Sequence, residues 1–161
     1  MLFRSQWDKR WGYLTYSDGP ICSNGCGPTA LSMVIVGLTG RTDANPYMVA
    51  NFAVLNNYYV NEVGTAWSLM SEGAKEFGLS VREVPLHEQS MKAALLDGEL
   101  IIMSVGEGTF TTFRHFIVIT GVDESNGEFI VNDPNSYIKS AQTYSYEIFE
   151  AEARNIWAFS L

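Results

Sequence analysis

The sequence predicts an α+β fold, in which a group of helices is followed along the chain by an antiparallel sheet. The stretch 28–39 is strongly apolar and has the composition of a buried helix. Two runs rich in β-branched and aromatic residues, 116–119 and 129–131, flank the polar segment 123–127. That segment contains Asn-Gly, which is typical of a β-hairpin loop. The apolar pattern therefore changes from helical to strand-like in the second half of the chain.

Two helices with clear termini are predicted after an irregular segment, 6–22, that is rich in Trp and Tyr. The first covers about 28–39 and begins with a proline, whose missing N–H is not needed at a first helical position. Gly40 is suited to its left-handed C-cap. The second covers about 46–55, with Asn45 as its N-cap. Because the first helix is apolar on nearly all sides, we expect it in the core.

Two further helices and a strand are predicted between this pair and the hairpin. Thr65 is a candidate N-cap for a third helix that ends at Gly78. A fourth helix covers about 88–97 and is closed by Gly98. Residues 100–105 form a short apolar run that is typical of a buried strand.

The C-terminal part completes the predicted sheet. Ser145 is a candidate cap for a last short helix through Ala153, and 156–159 form a closing strand. No repeat, low-complexity tract or linker divides the chain, and 161 residues is an ordinary size for one domain. We therefore predict a single domain over 1–161.

Charge and hydropathy exclude several classes of function. Ten basic and eighteen acidic residues give a net charge of −8, the opposite of the balance that phosphate contacts require. We therefore expect no nucleic-acid partner and no binding to anionic membranes. The longest apolar stretch, 30–38, is too short for a membrane-spanning helix, so no membrane insertion is expected. Residues 1–6 lack the features of a signal peptide, which indicates either an intracellular protein or one whose leader was removed.

Cys26 lies between two glycines at the predicted start of the buried helix. A helix N-terminus carries a partial positive charge and free N–H groups, and both favour thiolate over thiol. The flanking glycines leave room for a substrate backbone to approach. These conditions activate a cysteine nucleophile. The alternative is a small buried residue at a tight turn.

Cys22 and His87 are weaker candidates for the same chemistry. Cys22 lies in a loop, and His87 belongs to a polar stretch at the first turn of the fourth helix, where we expect a solvated side chain. A metal site built on Cys22 and Cys26 would need further ligands, and the chain offers only His87 and His115. We expect no metal and no organic cofactor.

His115 and Asp133 are predicted to meet in the hairpin. If Val122 pairs with Glu128, His115 lies opposite Asn135, and Asp133 is its diagonal neighbour on the same face. A bulge at Gly121 would shift this pairing by one residue. A thiolate nucleophile needs a base, and a carboxylate can orient the imidazole and support its charged form. The alternative role of Asp133 is to cap a turn in the Asn-Asp-Pro-Asn segment.

An amide side chain is also needed, because the oxyanion formed during acyl transfer requires hydrogen-bond donors. The N–H of Cys26 is one donor. Gln6 is the best amide upstream of the cysteine, a surface glutamine being the alternative.

These motifs together resemble the C39-like branch of the papain-like cysteine peptidases, over nearly the whole chain. The resemblance implies a papain-like fold, in which a central helix begins at the cysteine and packs on an antiparallel sheet that carries His and Asp. It also implies that Cys26 is the nucleophile, His115 the base, Asp133 the orienting acid and Gln6 the oxyanion donor. The matching segments are Gln6-x-Asp8-x-Arg10-Trp11, Gly25-Cys26-Gly27-Pro28-Thr29-Ala30, Leu38-Thr39-Gly40, His115-Phe116-Ile117-Val118, Val131-Asn132-Asp133-Pro134 and Ile156-Trp157-Ala158-Phe159.

Two features depart from the bacteriocin-processing members of that family. Their glutamine stands a few residues before the cysteine, whereas Gln6 and Cys26 are twenty positions apart, and the transporter part of those proteins is missing here. We therefore expect a free-standing bacterial relative and do not carry over the double-glycine leader specificity. Such relatives are commonly exported, so an extracellular or cell-wall location is favoured if a leader has been removed.

Three functions stay open at this stage. The first is a cysteine peptidase that forms an acyl-enzyme. The second is the same thioester chemistry on cell-wall peptides, as an amidase, endopeptidase or transpeptidase. The third is a catalytically inactive peptide-binding module, which the joint presence of Cys26, His115 and Asp133 argues against. We expect a peptide or protein substrate and a monomeric protein.

Aromatic residues are candidates for lining a substrate cleft, with ordinary core packing as the alternative. They are Trp7, Trp11, Tyr13 and Tyr16, the segment Asn56-Asn57-Tyr58-Tyr59, and Trp67.

Overall fold

The computed structural model describes residues 2–161, and Met1, with which the predicted domain begins, lies outside them. Helices lie on both faces of an antiparallel sheet, which confirms the α+β prediction. The strands are β1 Thr15–Tyr16, β2 Gly19–Pro20, β3 Tyr59–Val60, β4 Gly64–Thr65, β5 Ser80–Glu83, β6 Leu100–Gly106, β7 Arg114–Val122, β8 Phe129–Asn132, β9 Thr143–Tyr144 and β10 Ala153–Ser160. The α-helices are α1 Ile21–Asn24, α2 Cys26–Thr39, α3 Pro46–Leu55, α4 Ser68–Ser71, α5 Glu88–Leu96, α6 Tyr137–Ser140 and α7 Tyr146–Glu152, and a 3₁₀ helix covers Gly73–Phe77.

The main sheet has six antiparallel strands in the order β5-β10-β6-β7-β8-β9. The sequences of strands β6, β7 and β10 are apolar over most of their length, because both faces of these strands are buried. One face packs against α2 and α3, through residues such as Val118 and Phe159. The other packs against α5 and α7, through residues such as Ile117 and Phe149.

The helix α2 is the centre of the first core, as its apolar composition predicted. It begins at Cys26, two residues earlier than expected, and ten of its residues are buried. It ends at Gly40, whose φ of 76° is the predicted left-handed C-cap. The helix α3 has the predicted bounds, since the Asn45 side chain accepts a hydrogen bond from the Met48 N–H.

The predicted helix from Thr65 to Gly78 is wrong at its start. Thr65 belongs to β4 and pairs with Tyr59, and its hydroxyl contacts the Tyr16 hydroxyl at 2.7 Å. These long-range contacts outweigh the local capping tendency of a threonine. Only the short α4 and the 3₁₀ helix follow, and Gly78 ends the latter with a φ of 83°, as its sequence position predicted.

Smaller differences concern the ends of the sheet. The N-terminal segment 6–22, expected to be irregular, contains the β1–β2 hairpin and the beginning of α1. The edge strands β5 and β9 were not predicted because they are short and carry few apolar residues. Ser145 occupies the N-cap position of α7, but its side chain makes no capping hydrogen bond. Among residues 2–161, no helix has the length and apolar character needed to cross a membrane.

Candidate active site

Cys26 is the first residue of α2 and borders an open cleft. The first hydrogen bond of this helix runs from the Thr29 N–H to the Gly25 carbonyl, at 2.9 Å. The N–H groups of Cys26 and Gly27 therefore have no acceptor inside the helix. They add to the positive end of the helix dipole directly beside the thiol.

The two glycines around Cys26 are required by space rather than by a special backbone conformation. A Cβ at Gly25 would lie 2.5 Å from the Ile21 carbonyl oxygen, where α1 turns into α2. A Cβ at Gly27 would lie 2.8 Å from the side chain of Thr65. Glycine thus permits the tight corner before the cysteine and the close contact between α2 and β4.

His115 and Asp133 form a buried hydrogen-bonded pair. His115 exposes 7% of its surface and Asp133 none. The Nε2 atom of His115 lies 2.6 Å from Oδ1 of Asp133, and the same oxygen accepts a hydrogen bond from the Asn135 N–H at 2.9 Å. Asp133 therefore caps its turn and contacts the imidazole with a single carboxylate oxygen, so the two roles expected as alternatives occur together.

The hairpin brings this pair together through a register that differs from the prediction at the loop. Val122 pairs with Phe129 instead of Glu128. A bulge between Ile119 and Gly121 then shifts the strands, so that Ile119 pairs with Val131, as the predicted register requires. His115 and Asp133 are therefore neighbours as predicted, although the predicted partner of Val122 at the loop was wrong by one residue.

His115 also lies beside Cys26, because it stands at the end of β7 nearest the start of α2. Since Nε2 faces Asp133, Nδ1 is the nitrogen that remains to face the Cys26 thiol. Burial opposes the charged imidazole, but the hydrogen bonds with Asp133 and Cys26 outweigh it and raise the pKa of His115 above its ordinary value.

The same contacts act on the thiol. Partial burial raises the pKa of Cys26, but the hydrogen bond and charge of His115 outweigh it. The backbone N–H groups of Phe116 and Gly27 act in the same direction, so the pKa of Cys26 falls below its ordinary value. The contact therefore shifts both groups toward their charged forms, thiolate for Cys26 and imidazolium for His115.

Gln6 is buried and holds the N-terminal segment against both parts of the site. Its Nε2 donates to the Cys22 carbonyl at 2.8 Å, one helical turn before Cys26. Its backbone N–H donates to the Pro134 carbonyl at 2.9 Å, next to Asp133. The structure thus joins Cys26, His115 and Asp133 through their side chains and binds the Gln6 side chain to the Cys22 backbone.

The cleft beside Cys26 has a volume of about 480 Å³. Its lining combines acidic and hydroxyl groups with aromatic rings. Trp67 is 49% exposed, and its indole N–H donates to the Ser104 hydroxyl at 3.2 Å. Besides Cys26, His115 and Trp67, the side chains that line the cleft include Asp18, Tyr59, Glu62, Val63, Phe113, Arg114 and Phe116.

The other sequence candidates lie in ordinary positions. His87 is exposed at the N-cap of α5 and makes only a long contact, 3.4 Å, with the Ser90 hydroxyl. Cys22 is partly exposed and is a free thiol like Cys26. Of the aromatic residues predicted to line a cleft, Tyr59 and Trp67 do so. Trp11 and Tyr16 belong to the core instead. No group of three metal-binding side chains occurs in the part of the chain that the structure describes.

Several cleft residues were missed by sequence reasoning. Phe113 and Arg114 immediately precede His115, so their position next to a strand-borne histidine was the available signal. Asp18 and Glu62 carried no such signal, because they come from separate loops. These loops are joined only by tertiary contacts, in which Asp18 accepts hydrogen bonds from the Tyr59 hydroxyl and the Glu62 N–H.

Comparison with known proteins identifies the fold. The family model described as the Peptidase_C39 like family matches residues 3–159. The peptidase domain of Streptococcus ComA, a bifunctional ABC transporter involved in quorum sensing, superposes with a TM-score of 0.59 at 24% identity, over 86% of this chain and 92% of that chain. A Bacillus anthracis protein assigned to the C39-like peptidases gives a TM-score of 0.60 at 13% identity, over 99% and 94% of the two chains. No curated protein sequence matches significantly.

Proposed function

Because the chain belongs to the Peptidase_C39 like family, we propose that it is a cysteine peptidase in which Cys26 is the nucleophile. The observation that carries this proposal is the chain of contacts at the cleft. A thiol at the start of a helix contacts a buried histidine, which is held in turn by a fully buried aspartate. This is the arrangement of nucleophile, base and orienting group that covalent catalysis requires.

In the acylation step, the Cys26 sulfur attacks the carbonyl carbon of a peptide bond, and a C–S bond forms. His115 then transfers its Nδ1 proton to the amide nitrogen as the C–N bond breaks, so the amine leaves neutral. Asp133 keeps the imidazole in place through Nε2 and favours its charged form. In the second step, His115 accepts a proton from water, which attacks the thioester and releases the acid and the Cys26 thiolate.

The negative oxygen of the tetrahedral intermediate needs donors, and the N–H of Cys26 at the start of α2 is one. We assign the second role to Gln6, which has two amide protons, of which one is directed to the Cys22 carbonyl. We expect Gln6→Ala to lower kcat about 10²–10³-fold with little change in KM, the effect of removing one oxyanion donor. Gln89→Ala, an exposed substitution on α5, is the control.

The proposal is tested first by labelling. Iodoacetamide at pH 7 is expected to modify Cys26 much faster than Cys22, as measured by peptide mass mapping. Cys26→Ser should abolish the fast reaction and peptide hydrolysis, whereas Cys22→Ser should leave both unchanged. Equal reaction rates of the two thiols, with no dependence on His115, would contradict an activated nucleophile.

The substrate class is tested separately, since both peptides and cell-wall peptides suit thioester chemistry. Digests of a peptide library and of purified muropeptides are analysed by mass spectrometry with wild type and Cys26→Ser. Cleavage of library peptides supports a peptidase, and cleavage or transfer only on muropeptides supports the cell-wall alternative. Binding without turnover by a protein with a reactive Cys26 would support the inactive binding module.

A further inference from the structure

A second cavity lies between the N-terminal segment and the α2–α3 connection. Its volume is about 210 Å³, and it shares no lining residue with the cleft at Cys26. The residues that line it and matter here are Arg4, Arg10, Trp11, Thr42, Asn45 and Tyr47. Two arginines and no carboxylate side chain therefore face this cavity, in a protein whose net charge is −8.

Arg4 is the unusual member of this group. It exposes only 7% of its surface, yet its guanidinium forms no ion pair with any of residues 2–161. Nη2 donates to the Thr42 carbonyl at 2.9 Å and Nη1 contacts the Ser32 hydroxyl at 3.4 Å, while the buried Nε has no partner. A buried arginine is normally paired with a carboxylate, because an uncompensated buried charge is costly.

The neighbouring charges do not compensate Arg4. Asp8 is the nearby carboxylate, but it accepts two hydrogen bonds from Nε and Nη2 of Arg10. Arg10 in turn lies 4.5 Å over the Trp11 ring, and the Arg4 guanidinium lies 5.4 Å from the same ring. Two cations therefore share one anion around a common indole platform, which leaves one positive charge uncompensated.

The start of α3 adds to the positive potential of the cavity. This ten-residue helix begins beside it, with Asn45 as its cap and Tyr47 in its first turn. Its dipole points its positive end toward the cavity, and the Tyr47 hydroxyl is a further donor. The donors thus come from two segments of the chain, the N-terminal segment and the start of α3.

We propose that this cavity is a binding site for an oxyanion, the phosphate or carboxylate group of a ligand, with Arg4 as its main charged contact. An oxyanion would supply the counter-charge that Arg4 lacks and acceptors for its free N–H groups. The Trp11 ring offers an apolar surface to the part of the ligand that carries the anionic group. The site is independent of the proposed reaction at Cys26.

The experiment compares thermal unfolding in sodium phosphate and in sodium chloride at equal ionic strength and pH. We expect phosphate to raise the Tm of the wild type by about 3–5 °C at ten or more times its Kd, because a ligand that binds only the folded state stabilises it. Arg4→Met should remove this rise. Arg41→Met is the matched control. Arg41 lies on the α2–α3 connection beside the cavity, but it pairs with Asp43 and does not line the cavity.

A second variant keeps the test decisive if Arg4→Met does not fold. Tyr47→Glu places a carboxylate at the cavity, so we expect a higher Tm in chloride and no further rise in phosphate. A parallel series in sodium acetate distinguishes a phosphate ligand from a carboxylate ligand. The anion that raises the Tm at the lower concentration identifies the group that the cavity binds. No rise with either anion, or an equal rise in wild type and Arg4→Met, would overturn the proposal.

Discussion

His115 and Arg4 are buried to the same extent, each with 7% of its surface exposed, but their charges are met in opposite ways. His115 lies between the Cys26 thiol and the Asp133 carboxylate, and these contacts raise its pKa against the effect of burial. Arg4 has a carbonyl and a hydroxyl as partners and no carboxylate. Burial and the charge of Arg10 lower the pKa of Arg4, while Asp8 raises it less.

At the cleft, the buried cation has a counter-charge within the protein. At the second cavity, the buried cation lacks one. In the cleft, the protein supplies both partners of the imidazole, so burial strengthens their interaction. In the second cavity, the protein supplies donors alone, so burial favours an anion from outside. The comparison is tested by removing one charge at a time.

The largest effect is expected for His115→Ala. Hydrolysis should fall about 10²–10⁴-fold, the usual contribution of a general acid and base. The apparent pKa of Cys26 alkylation should rise, because the thiolate loses its hydrogen bond and its positive neighbour. The rate of iodoacetamide labelling between pH 5 and pH 10 measures this shift. His87→Ala should change neither quantity, and an unchanged alkylation profile in His115→Ala would show that Cys26 is not activated by this histidine.

The next effect concerns stability. Asp133→Ala is expected to lower the free energy of unfolding by about 3–5 kcal/mol, because it leaves a buried charge without its partner. Asp133→Asn removes the same charge but keeps an acceptor for the Asn135 N–H, so its loss should be smaller by about 1–3 kcal/mol, the cost of one unsatisfied buried donor. Urea unfolding followed by circular dichroism measures both. A loss in Asp133→Ala no larger than in Asp133→Asn would mean that the charge, rather than the turn, gives Asp133 its importance.

The pH dependence of stability gives a third test. The pKa of His115 is raised in the folded protein, so its charge stabilises the fold fully below the ordinary imidazole pKa, and this contribution is lost as pH rises toward the folded pKa. The stability difference between Cys26→Ser and Cys26→Ser/His115→Gln should therefore narrow by about 1–2 kcal/mol from pH 6 to pH 8.5. The Cys26→Ser background removes the opposing titration of the thiol. A difference that widens with pH would contradict the direction of the shift.

The smallest effect is expected for Arg4→Met in chloride buffer. The substitution removes the contacts with the Thr42 carbonyl and the Ser32 hydroxyl but also an uncompensated charge, so the free energy of unfolding should change by less than about 1 kcal/mol. Urea unfolding at constant ionic strength measures the change. A loss comparable to that of Asp133→Ala would show that the charge of Arg4 is compensated within the protein, and the contrast between the two sites would disappear.

Much of the fold could be predicted because its signals are local. Asn45 and Gly40 set helix ends that the structure reproduces, since capping depends on a few neighbouring residues. Short apolar, β-branched and aromatic runs predicted β6, β7 and β8. Thr65 was misplaced because its partners, Tyr59 and Tyr16, are distant in sequence.

The residues of the candidate site also divide into those with a local sequence signal and those whose contacts depend on distant segments. Cys26 was recognisable from its glycines and the helix that follows it, and the pairing of His115 with Asp133 from the hairpin. The sequence did not indicate that Gln6 would bind the Cys22 carbonyl, because this contact depends on how the N-terminal segment packs. The loops that carry Asp18 and Glu62 were equally out of reach.

By itself, the sequence determined the α+β class, the position of the cysteine at a helix start and the neighbourhood of His115 and Asp133, because each depends on periodicity or short-range pairing. Only the tertiary structure decided the bulge in β7 and the register on its loop side, the walls of the cleft and the burial of Arg4 without a carboxylate. These features depend on which distant segments come to lie together. Burial and the supply of counter-charges are properties of the folded chain as a whole.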